Sequence, residues 1–522
     1  MNNKTINTTK VGVQKCDCDG FTSSAILINY IFKTFPDYPV EYLEYFMHDD
    51  KTHGIEMDKI PLDMKLIIIP DASSNDNEQV KKLHELGIEV LIADHHESDN
   101  PPTYATIVNN QLCDYPNKTL SGAGIVWKFI KYLDEKLKIN NADYYIDLAM
   151  VGIIGDIMNL NEKETRYIIE QGMNNINNPF LLEMIKKQSY SLKDKITPNG
   201  IAFYIVPYIN AVIRSGTLDE KFIVFEAMLD IMGNKKIKSG KRGASLNDTE
   251  SLAEKACRVA SNAKNRQKKI QQKEVERLET LIQENNMLDN KVLIFALDED
   301  NSVDKNLTGL IANMIMGKYG KPTLVMNHYK NRDEFAGSAR APGNCGFDHF
   351  RKFCDESGLV NYAAGHELAF GLSLPDTKVQ DMINYCNKEL ADYSFNNEYF
   401  VDFCLKSDYN RLKDLIFEIA NNQEYWGQGL QEPYIAIKNI KVNKNNVTLM
   451  SPDRNPTLKI LLNDNIEILK FKSSKEEYEK LNTSMINIVD IVGRCSVNEW
   501  NGKKTPQIIV EDYDIIGKEY DF

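Results

Sequence analysis

The stretch that decides the fold is Val90-Leu91-Ile92-Ala93-Asp94-His95-His96, an apolar run followed directly by one carboxylate and two imidazoles. The apolar residues predict a buried strand, and a strand delivers the side chains at its end to a fixed place. Carboxylate oxygens and imidazole nitrogens are ligands that Mn²⁺, Mg²⁺ and Zn²⁺ accept. Taken alone, the triplet also fits a turn with ordinary surface histidines. The rest of the sequence is needed to distinguish a metal site from such a turn.

Three further apolar segments in the first part of the chain also end in acidic residues. Residues 11–13 lead into Asp17-Cys18-Asp19-Gly20, residues 66–70 lead into Asp71, and a helix-like stretch ends at Gly155-Asp156. Short apolar runs that alternate with helix-like segments are typical of a parallel α/β sheet. Because ligands bind outside the carboxyl ends of such strands, we expect these acidic side chains to converge at one place.

The first aspartates in this set also have a structural explanation. Asp17 and Asp19 lie two residues apart, and two such carboxylates repel each other unless a cation lies between them. The alternative is an Asx turn that caps the helix predicted over residues 21–35. Asp71 likewise is either a metal ligand or the cap of a helix that begins near Asn75.

Composition limits the class of protein. The 522 residues are enough for about three domains. The net charge of -13, from 62 basic and 75 acidic residues, argues against binding nucleic acid by overall basicity but is compatible with a local groove. No apolar run approaches the ~18 residues of a membrane span and the start lacks a signal peptide, so we expect a cytoplasmic protein. The 9 cysteines form no Cys-x-x-Cys pair, which favours reduced thiols over disulfides or a zinc site.

The later part of the chain shows two further patterns. Residues 249–285 contain many charges but neither Pro nor Gly, which predicts one long helix capped by Thr249. We interpret it as a strut between two α/β blocks, with a coiled-coil pairing segment as the alternative. The second block begins at Val292, and the tail after it suggests a small barrel. The barrel strands are predicted over residues 434–440, 457–462, 486–492 and 506–510.

Taken together, these motifs resemble the DHH phosphoesterase superfamily. The matching residues, in order, are Asp17-x-Asp19-Gly20, Asp71, Asp94-His95-His96 and Gly155-Asp156. Residues 337–340 and 364–371 are similar to the superfamily's associated domain, whose usual pattern is Gly-Gly-His followed by Ala-Ala-Gly. This chain departs from that pattern at Ala364 and Phe370. It keeps the arginine and the histidine, which are the groups able to hold a phosphate.

Other segments are similar, within this superfamily, to the RecJ-like single-strand exonucleases. Residues 120–124 and 209–214 resemble segments that flank the active-site cleft, and residues 426–433 and 495–510 resemble the entry and the end of the RecJ OB-fold. The resemblance implies an α/β fold with four regions. They are a parallel-sheet DHH catalytic domain over 1–235, a connecting helix over 236–287, a second α/β, DHH-associated phosphate-binding domain over 288–393, and an OB-like nucleic-acid-binding β-barrel over 394–522.

The resemblance also implies roles for individual residues. The implied ligands of two Mn²⁺ or Mg²⁺ ions are Asp17, Asp19, Asp71, His95 and Asp156, and the implied catalytic groups are Asp94, His96, Arg340 and His366. The implied substrate contacts are Lys15, Arg214, Ser338, Arg340, Gly365, His366, Tyr434 and Trp500. RecJ-like proteins usually have an acidic residue at the position of Lys15, and some have a histidine at that of Val13. The number of metal ions therefore stays open.

The implied function is that of a RecJ-like 5′→3′ exonuclease, which hydrolyses single-stranded DNA by a two-metal mechanism in DNA repair or recombination. A single-strand-binding protein or a helicase is a candidate partner, and the resemblance implies a monomer. One alternative is a phosphodiesterase of short oligonucleotides or signalling dinucleotides, which uses the same site. Another is a non-catalytic nucleic-acid-binding protein derived from a nuclease. Lys15, which replaces the usual acidic residue, keeps this alternative open.

Overall fold

A computed structural model of the chain describes residues 14–15, 17–47, 54–192, 195–245, 247–343 and 345–520. The chain divides into two compact units, with the boundary between Asn396 and Asn397. The apolar run predicted at 11–13 lies outside the described residues.

The first part of the larger unit alternates strands and helices. In chain order these are β1 (Gln14–Lys15), α1 (Cys18–Thr34), β2 (Phe46–Met47), β3 (Leu66–Pro70), α2 (Asn77–Glu85), β4 (Glu89–Asp94), β5 (Thr106–Asn109), α3 (Gly122–Leu137) and α4 (Ile146–Gly155). Strands β3, β4 and β5 form a parallel sheet in that order, and β1 pairs with β2 in a second parallel pair. The prediction of an α/β fold with parallel strands is confirmed.

The three-stranded sheet is buried on both faces. Ile69 and Ile92 pack into one apolar cluster, whereas Ile68 and Ala93 pack into the large core that contains α1, α3 and α4. Two buried faces explain why these strands are nearly continuous apolar runs rather than alternating ones. Pro70 pairs with Ala93, so the chain leaves β3 and β4 at the same edge of the sheet.

A helical region follows and leads to one long helix. Its elements are α5 (Lys163–Asn174), α6 (Pro179–Lys187), α7 (Ser189–Leu192), α8 (Pro198–Tyr204), α9 (Val206–Ser215), α10 (Leu218–Ala227), α11 (Asp230–Gly233), β6 (Lys236–Lys238), β7 (Thr249–Ser251) and α12 (Leu252–Glu284). The prediction that Thr249 caps the long helix is wrong, because Thr249 pairs with Lys238 between strands β6 and β7. Ser251 is the cap instead, in a reciprocal capping box with Glu254.

Helix α12 joins two separate apolar cores. Ala256, Ala260 and Ala263 are buried in the core of the first part, and Leu278 and Ile282 are buried in a cluster of the second α/β block. Apart from the exposed Ile270, most of its apolar positions are covered within its own chain, which fits a strut better than a coiled-coil segment.

The second α/β block forms a mixed five-stranded sheet. Its elements are β8 (Leu293–Leu297), α13 (Thr308–Tyr319), β9 (Thr323–Tyr329), β10 (Glu334–Arg340), α14 (Phe350–Glu356), β11 (Tyr362–His366), β12 (Ala369–Pro375) and α15 (Val379–Glu389). The strand order is β11-β12-β10-β9-β8, with β8 parallel to β9 and the other pairs antiparallel.

The smaller unit is a seven-stranded β structure with its own core. Its elements are β13 (Phe403–Lys406), α16 (Leu412–Asn421), β14 (Tyr434–Val442), β15 (Val447–Met450), β16 (Thr457–Leu461), β17 (Glu467–Phe471), α17 (Lys475–Leu481), β18 (Ile486–Trp500) and β19 (Lys503–Glu519). The order is β13-β14-β18-β19-β17-β16-β15. Strands β18 and β19 form a long hairpin, and a tight turn at Asn501-Gly502 joins them.

None of the described helices is both long enough and apolar enough to cross a membrane. The cysteines among the described residues all carry free thiols, and most of them are buried.

Candidate metal centre

The ends of β3 and β4 place two aspartates side by side. Asp94 is the last residue of β4, and Asp71 follows β3 directly, with its backbone nitrogen 2.6 Å from the carbonyl oxygen of Ala93. Asp71 has a φ of 58°, a left-handed conformation that is uncommon for a non-glycine residue. It does not cap the next helix, which begins at Asn77 with Asp76 at its cap position. Strain at an aspartate in such a place is typical of a functional site.

Asp94 is completely buried and organises the two histidines. Its Oδ1 accepts the backbone N–H of His95 at 2.8 Å and lies 2.7 Å from Nδ1 of His96, while Oδ2 accepts the backbone N–H of Ser74 at 3.1 Å. Burial raises the pKa of Asp94, but these hydrogen bonds and the His96 charge outweigh it and hold the pKa well below its usual range. Asp94 therefore stays ionised and fixes the orientation of the His96 ring.

His95 lies at the junction of two groups of possible metal ligands. Its Nε2 lies 3.2 Å from Oδ1 of Asp71 and 3.4 Å from Oδ2 of Asp156. One group consists of Asp71, Asp94, His95 and His96, the other of Asp19, His95 and Asp156, and within each the ligand atoms all lie within 4.8 Å of one another. Four segments far apart in sequence thus meet around one imidazole.

The hydrogen bonds of the Asp19 carboxylate show whether a cation fits between these ligand groups. Its Oδ1 accepts hydrogen bonds from Oγ of Ser121 at 2.7 Å and from the backbone N–H of Ala123 at 3.0 Å. Its Oδ2 is buried and has no hydrogen-bond donor among the residues that the structure describes. A buried carboxylate oxygen without a partner is costly, and a divalent cation supplies the missing partner. The residues present fit a divalent metal ion.

Two glycines make room for the acidic side chains. A Cβ atom at Gly122, at the start of α3, would lie 2.1 Å from Cβ of Asp71, and one at Gly152, in α4, would lie 2.4 Å from Oδ1 of Asp19. The sequence interpretation missed Gly152. The only signal for it is a glycine within the apolar helix that ends at Asp156, which is not specific.

Asp17 has the role of a helix cap in this structure. Its Oδ1 accepts the backbone N–H of Gly20 at 2.8 Å, as in the Asx-type cap that the sequence predicts as the alternative. Asp17 belongs to neither group of possible metal ligands. Asp17 also lies near Arg214 of α9, where burial lowers the pKa of the guanidinium and the Asp17 charge opposes that shift. The side chain of Lys15 lies outside what the structure describes.

The predicted phosphate-binding residues lie on one face of the second sheet. Arg340 pairs with Ala369, which pairs with His366, so the arginine and the exposed histidine share a face, two strands apart. The Arg340 guanidinium lies beside Gly309 at the start of α13, where a Cβ atom would approach Nη2 to 2.5 Å. Burial lowers the pKa of Arg340, and so does the nearby charge of Arg214. Arg214 is therefore near enough to Arg340 for the two positive charges to interact.

The neighbouring motif positions have simple structural explanations. Oγ of Ser338 lies 2.9 Å from Oγ1 of Thr308, and Gly365 is exposed with a φ of 129°. Phe370, one of the two departures from the family pattern, is buried and packs against Phe350 at 5.4 Å between ring centroids. It lies on the face of the sheet opposite Arg340, since adjacent strand residues point to opposite sides.

In the smaller unit the two predicted aromatic contacts differ. The hydroxyl of Tyr434 accepts a hydrogen bond from Arg494 Nη2 at 2.7 Å, and the guanidinium lies 5.0 Å from the Tyr434 ring centroid. Trp500 is 74% exposed at the end of β18, beside the hairpin turn. The structure thus engages Tyr434 within the fold and presents Trp500 to solvent.

Comparison with known proteins adds two family matches. Residues 9–153 match the DHH family, N-terminal domain, and residues 401–512 match the RecJ OB domain. The chain is 34% identical to a putative SPbeta prophage-derived single-strand DNA-specific exonuclease, YorK, of Bacillus subtilis (strain 168), over 98% of this chain and 88% of that protein. It is 24% identical to the single-stranded-DNA-specific exonuclease RecJ of the same organism, over 95% of this chain and 60% of that protein.

A solved structure supports the fold. The crystal structure of RecJ from Thermus thermophilus in complex with Mn²⁺ matches with a TM-score of 0.72 at 18% identity, over 98% of this chain and 70% of that one. The Mg²⁺ complex of RecJ from the same organism matches with a TM-score of 0.64, over 97% of this chain and 67% of that one.

Replacing Gly122 by alanine tests the packing around Asp71. Alanine normally stabilises a helix relative to glycine by up to ~1 kcal/mol, but here the added methyl group collides with Asp71 and should lower the free energy of unfolding by about 1–3 kcal/mol. Gly317→Ala in α13 is the matched control, because a Cβ there meets no atom within 4 Å. Chemical denaturation measures both variants. A Gly122→Ala protein as stable as the Gly317→Ala protein would contradict the close packing.

Proposed function

Because the chain belongs to the RecJ-like family of DHH phosphoesterases, we propose that it is a metal-dependent exonuclease that removes nucleotides from single-stranded DNA in the 5′→3′ direction. The observation that carries the proposal is the position of His95 between two acidic ligand groups, with a buried Asp19 oxygen that lacks a donor among the described residues. The direction rests on the family resemblance.

The residues proposed to hold Mn²⁺ or Mg²⁺ are Asp19, Asp71, His95 and Asp156. Two overlapping ligand groups that share one histidine support two ions rather than one. Asp17 is included on the resemblance alone, since its Oδ1 caps α1. When bound, such ions polarise a phosphodiester and make a water molecule a better nucleophile at neutral pH.

Asp94 and His96 are proposed to handle the proton of the leaving group. The ionised Asp94 accepts a hydrogen bond from Nδ1 of His96, which leaves Nε2 as the ring nitrogen that can face a substrate. The His96 side chain is 51% exposed, so its Nε2 is accessible to a substrate. A histidine held in this way suits general acid catalysis, which delivers a proton to the departing oxygen.

Arg214, Arg340 and His366 are proposed to bind phosphate. The charge of Arg214 lowers the pKa of Arg340, and a phosphate between the two guanidinium groups would relieve their repulsion. Arginine also binds phosphate through two parallel hydrogen bonds, which fixes the substrate as well as attracting it.

A nucleic-acid strand is favoured over a signalling dinucleotide because the chain contains a RecJ OB domain. OB-folds bind single strands by stacking bases on aromatic side chains, at about 1–3 kcal/mol per base. Trp500 is the proposed stacking group, since it is exposed and pairs with Lys503 across the β18–β19 hairpin. The proposed setting is DNA repair or recombination, where a helicase or a single-strand-binding protein delivers the strand.

The direct test is a time course on 5′- and 3′-labelled single strands and on a dinucleotide, with Mn²⁺, Mg²⁺ or chelator. We expect metal-dependent release of mononucleotides from the 5′ end of the long strand and much slower hydrolysis of the dinucleotide. Asp156→Ala and His95→Ala should lower the rate at least about a hundredfold, because even indirect supports of a metal ligand are worth 10–100-fold. His84→Ala is the control, since His84 stacks on Tyr104 away from the ligand groups. Undiminished cleavage by the Asp156→Ala protein would contradict the metal assignment.

Arg340→Ala tests the phosphate-binding role of the second sheet. Loss of a charge-assisted hydrogen bond should raise KM for a 5′-phosphorylated strand by about 10- to 150-fold. Arg277→Ala is the matched control, because Arg277 pairs with Glu274 on α12. Steady-state kinetics with and without a 5′-phosphate measure the effect. The proposed role fails if Arg340→Ala leaves KM at the wild-type value.

A further inference from the structure

The face of the second sheet that carries Arg340 continues toward a second group of polar side chains. Residues paired across strands point to the same side, and so do residues two or four positions apart along one strand. Tyr362 is four positions before His366 on β11 and pairs with Ser373, which pairs with Ala336 of β10. Tyr362 therefore shares the face of Arg340 and His366.

A pocket of about 180 Å³ opens at this end of the face. Its lining includes two tyrosine rings, one lysine and two hydroxyl groups, contributed by Tyr329, Tyr362, Lys305, Thr308 and Ser338. The remaining wall is formed by the small Ala336 and Gly337 and by Asn327.

The side chains that line this pocket differ in whether they are available to bind a ligand. The Asn327 amide is hydrogen-bonded to both backbone groups of Val303, so it serves as a wall. Tyr362 is 48% exposed on the edge strand of the sheet, and its ring is open to a ligand. Ser338 lies two residues from Arg340 on the same face of β10, so the pocket is continuous with the proposed phosphate site.

We propose that this pocket receives one base of the single strand, stacked on Tyr362, while Lys305 and the α13 end at Thr308 face the adjoining phosphate. This inference rests on the proposed function and names a further substrate contact within it. Aromatic rings beside a positively charged side chain are the combination with which single-strand-binding proteins hold nucleotides. The pocket is smaller than the ~300–1,000 Å³ that enclose a whole drug-sized ligand, and its size suits a single base.

The spacing along the sheet sets which base is involved. Four residues of β11 separate Tyr362 from His366, which corresponds to roughly 13 Å at ~3.3 Å per residue. Phosphates along one strand of B-form DNA rise by ~3.4 Å each, and an unstacked strand is more extended. The Arg340 guanidinium itself lies beside Gly309, next to the Thr308 end of the pocket, so the base in the pocket is expected one to four nucleotides from the phosphate held by Arg340.

The test combines Tyr362→Ala with a series of strands that carry one abasic site at successive positions from the 5′ end. In the wild-type protein, the abasic site at one position among the second to fifth nucleotides should raise KM by about 5- to 150-fold, which corresponds to stacking of one base. The Tyr362→Ala protein should show the same rise in KM on the intact strand. An abasic site at that position should not raise its KM further. Tyr362→Phe should behave as wild type.

Tyr190→Ala is the matched control, since Tyr190 is 96% exposed and lies outside the pocket. Fluorescence anisotropy of the same strands in chelator gives a second readout that needs no cleavage. If Tyr362→Ala keeps the wild-type response to every abasic position in both assays, the pocket is not a base site. A wild-type protein that cleaves no strand would refute the proposed function instead, and the binding series would still decide on the pocket.

Discussion

The buried carboxylate of Asp94 is the interaction on which the site depends. A carboxylate removed from water is costly unless hydrogen bonds satisfy it, and here the donors are Ser74 and the two histidines next to Asp94 in the sequence. The backbone N–H of His95 and the ring of His96 both bond to it, so the ionised Asp94 fixes the backbone at His95 and the orientation of the His96 ring. The sheet register then places Asp71 beside this group.

The same crowding explains the small residues around the centre. Carboxylates from α1, β3 and the end of α4 can approach one imidazole only if the helices packed against them have no side chain at the points of contact. Gly122 and Gly152 meet that requirement. The second sheet also has small residues on its Arg340 face, where Ala336, Ala364 and Gly371 lie between the proposed phosphate-binding residues and the tyrosine pocket.

The sequence predicted the parts of the structure that follow from periodicity and chain order. The apolar runs before Asp71 and His95 predicted strands, and the carboxyl-end rule predicted that their polar ends would meet. Contacts between distant side chains could not be predicted in this way. The same Asp-x-Asp-Gly pattern contains a helix cap at Asp17 and a buried carboxylate, the proposed metal ligand, at Asp19, and only the contacts with Ser121 and Ala123 distinguish the two.

The central claim is that His95 joins two metal positions, and diffraction at the manganese absorption edge from crystals grown with Mn²⁺ tests it most directly. We expect two anomalous peaks next to His95, one also bounded by Asp19 and Asp156 and the other by Asp71. Peaks that lie away from His95, or a wild-type protein with no peak at these carboxylates under saturating Mn²⁺, would contradict the account.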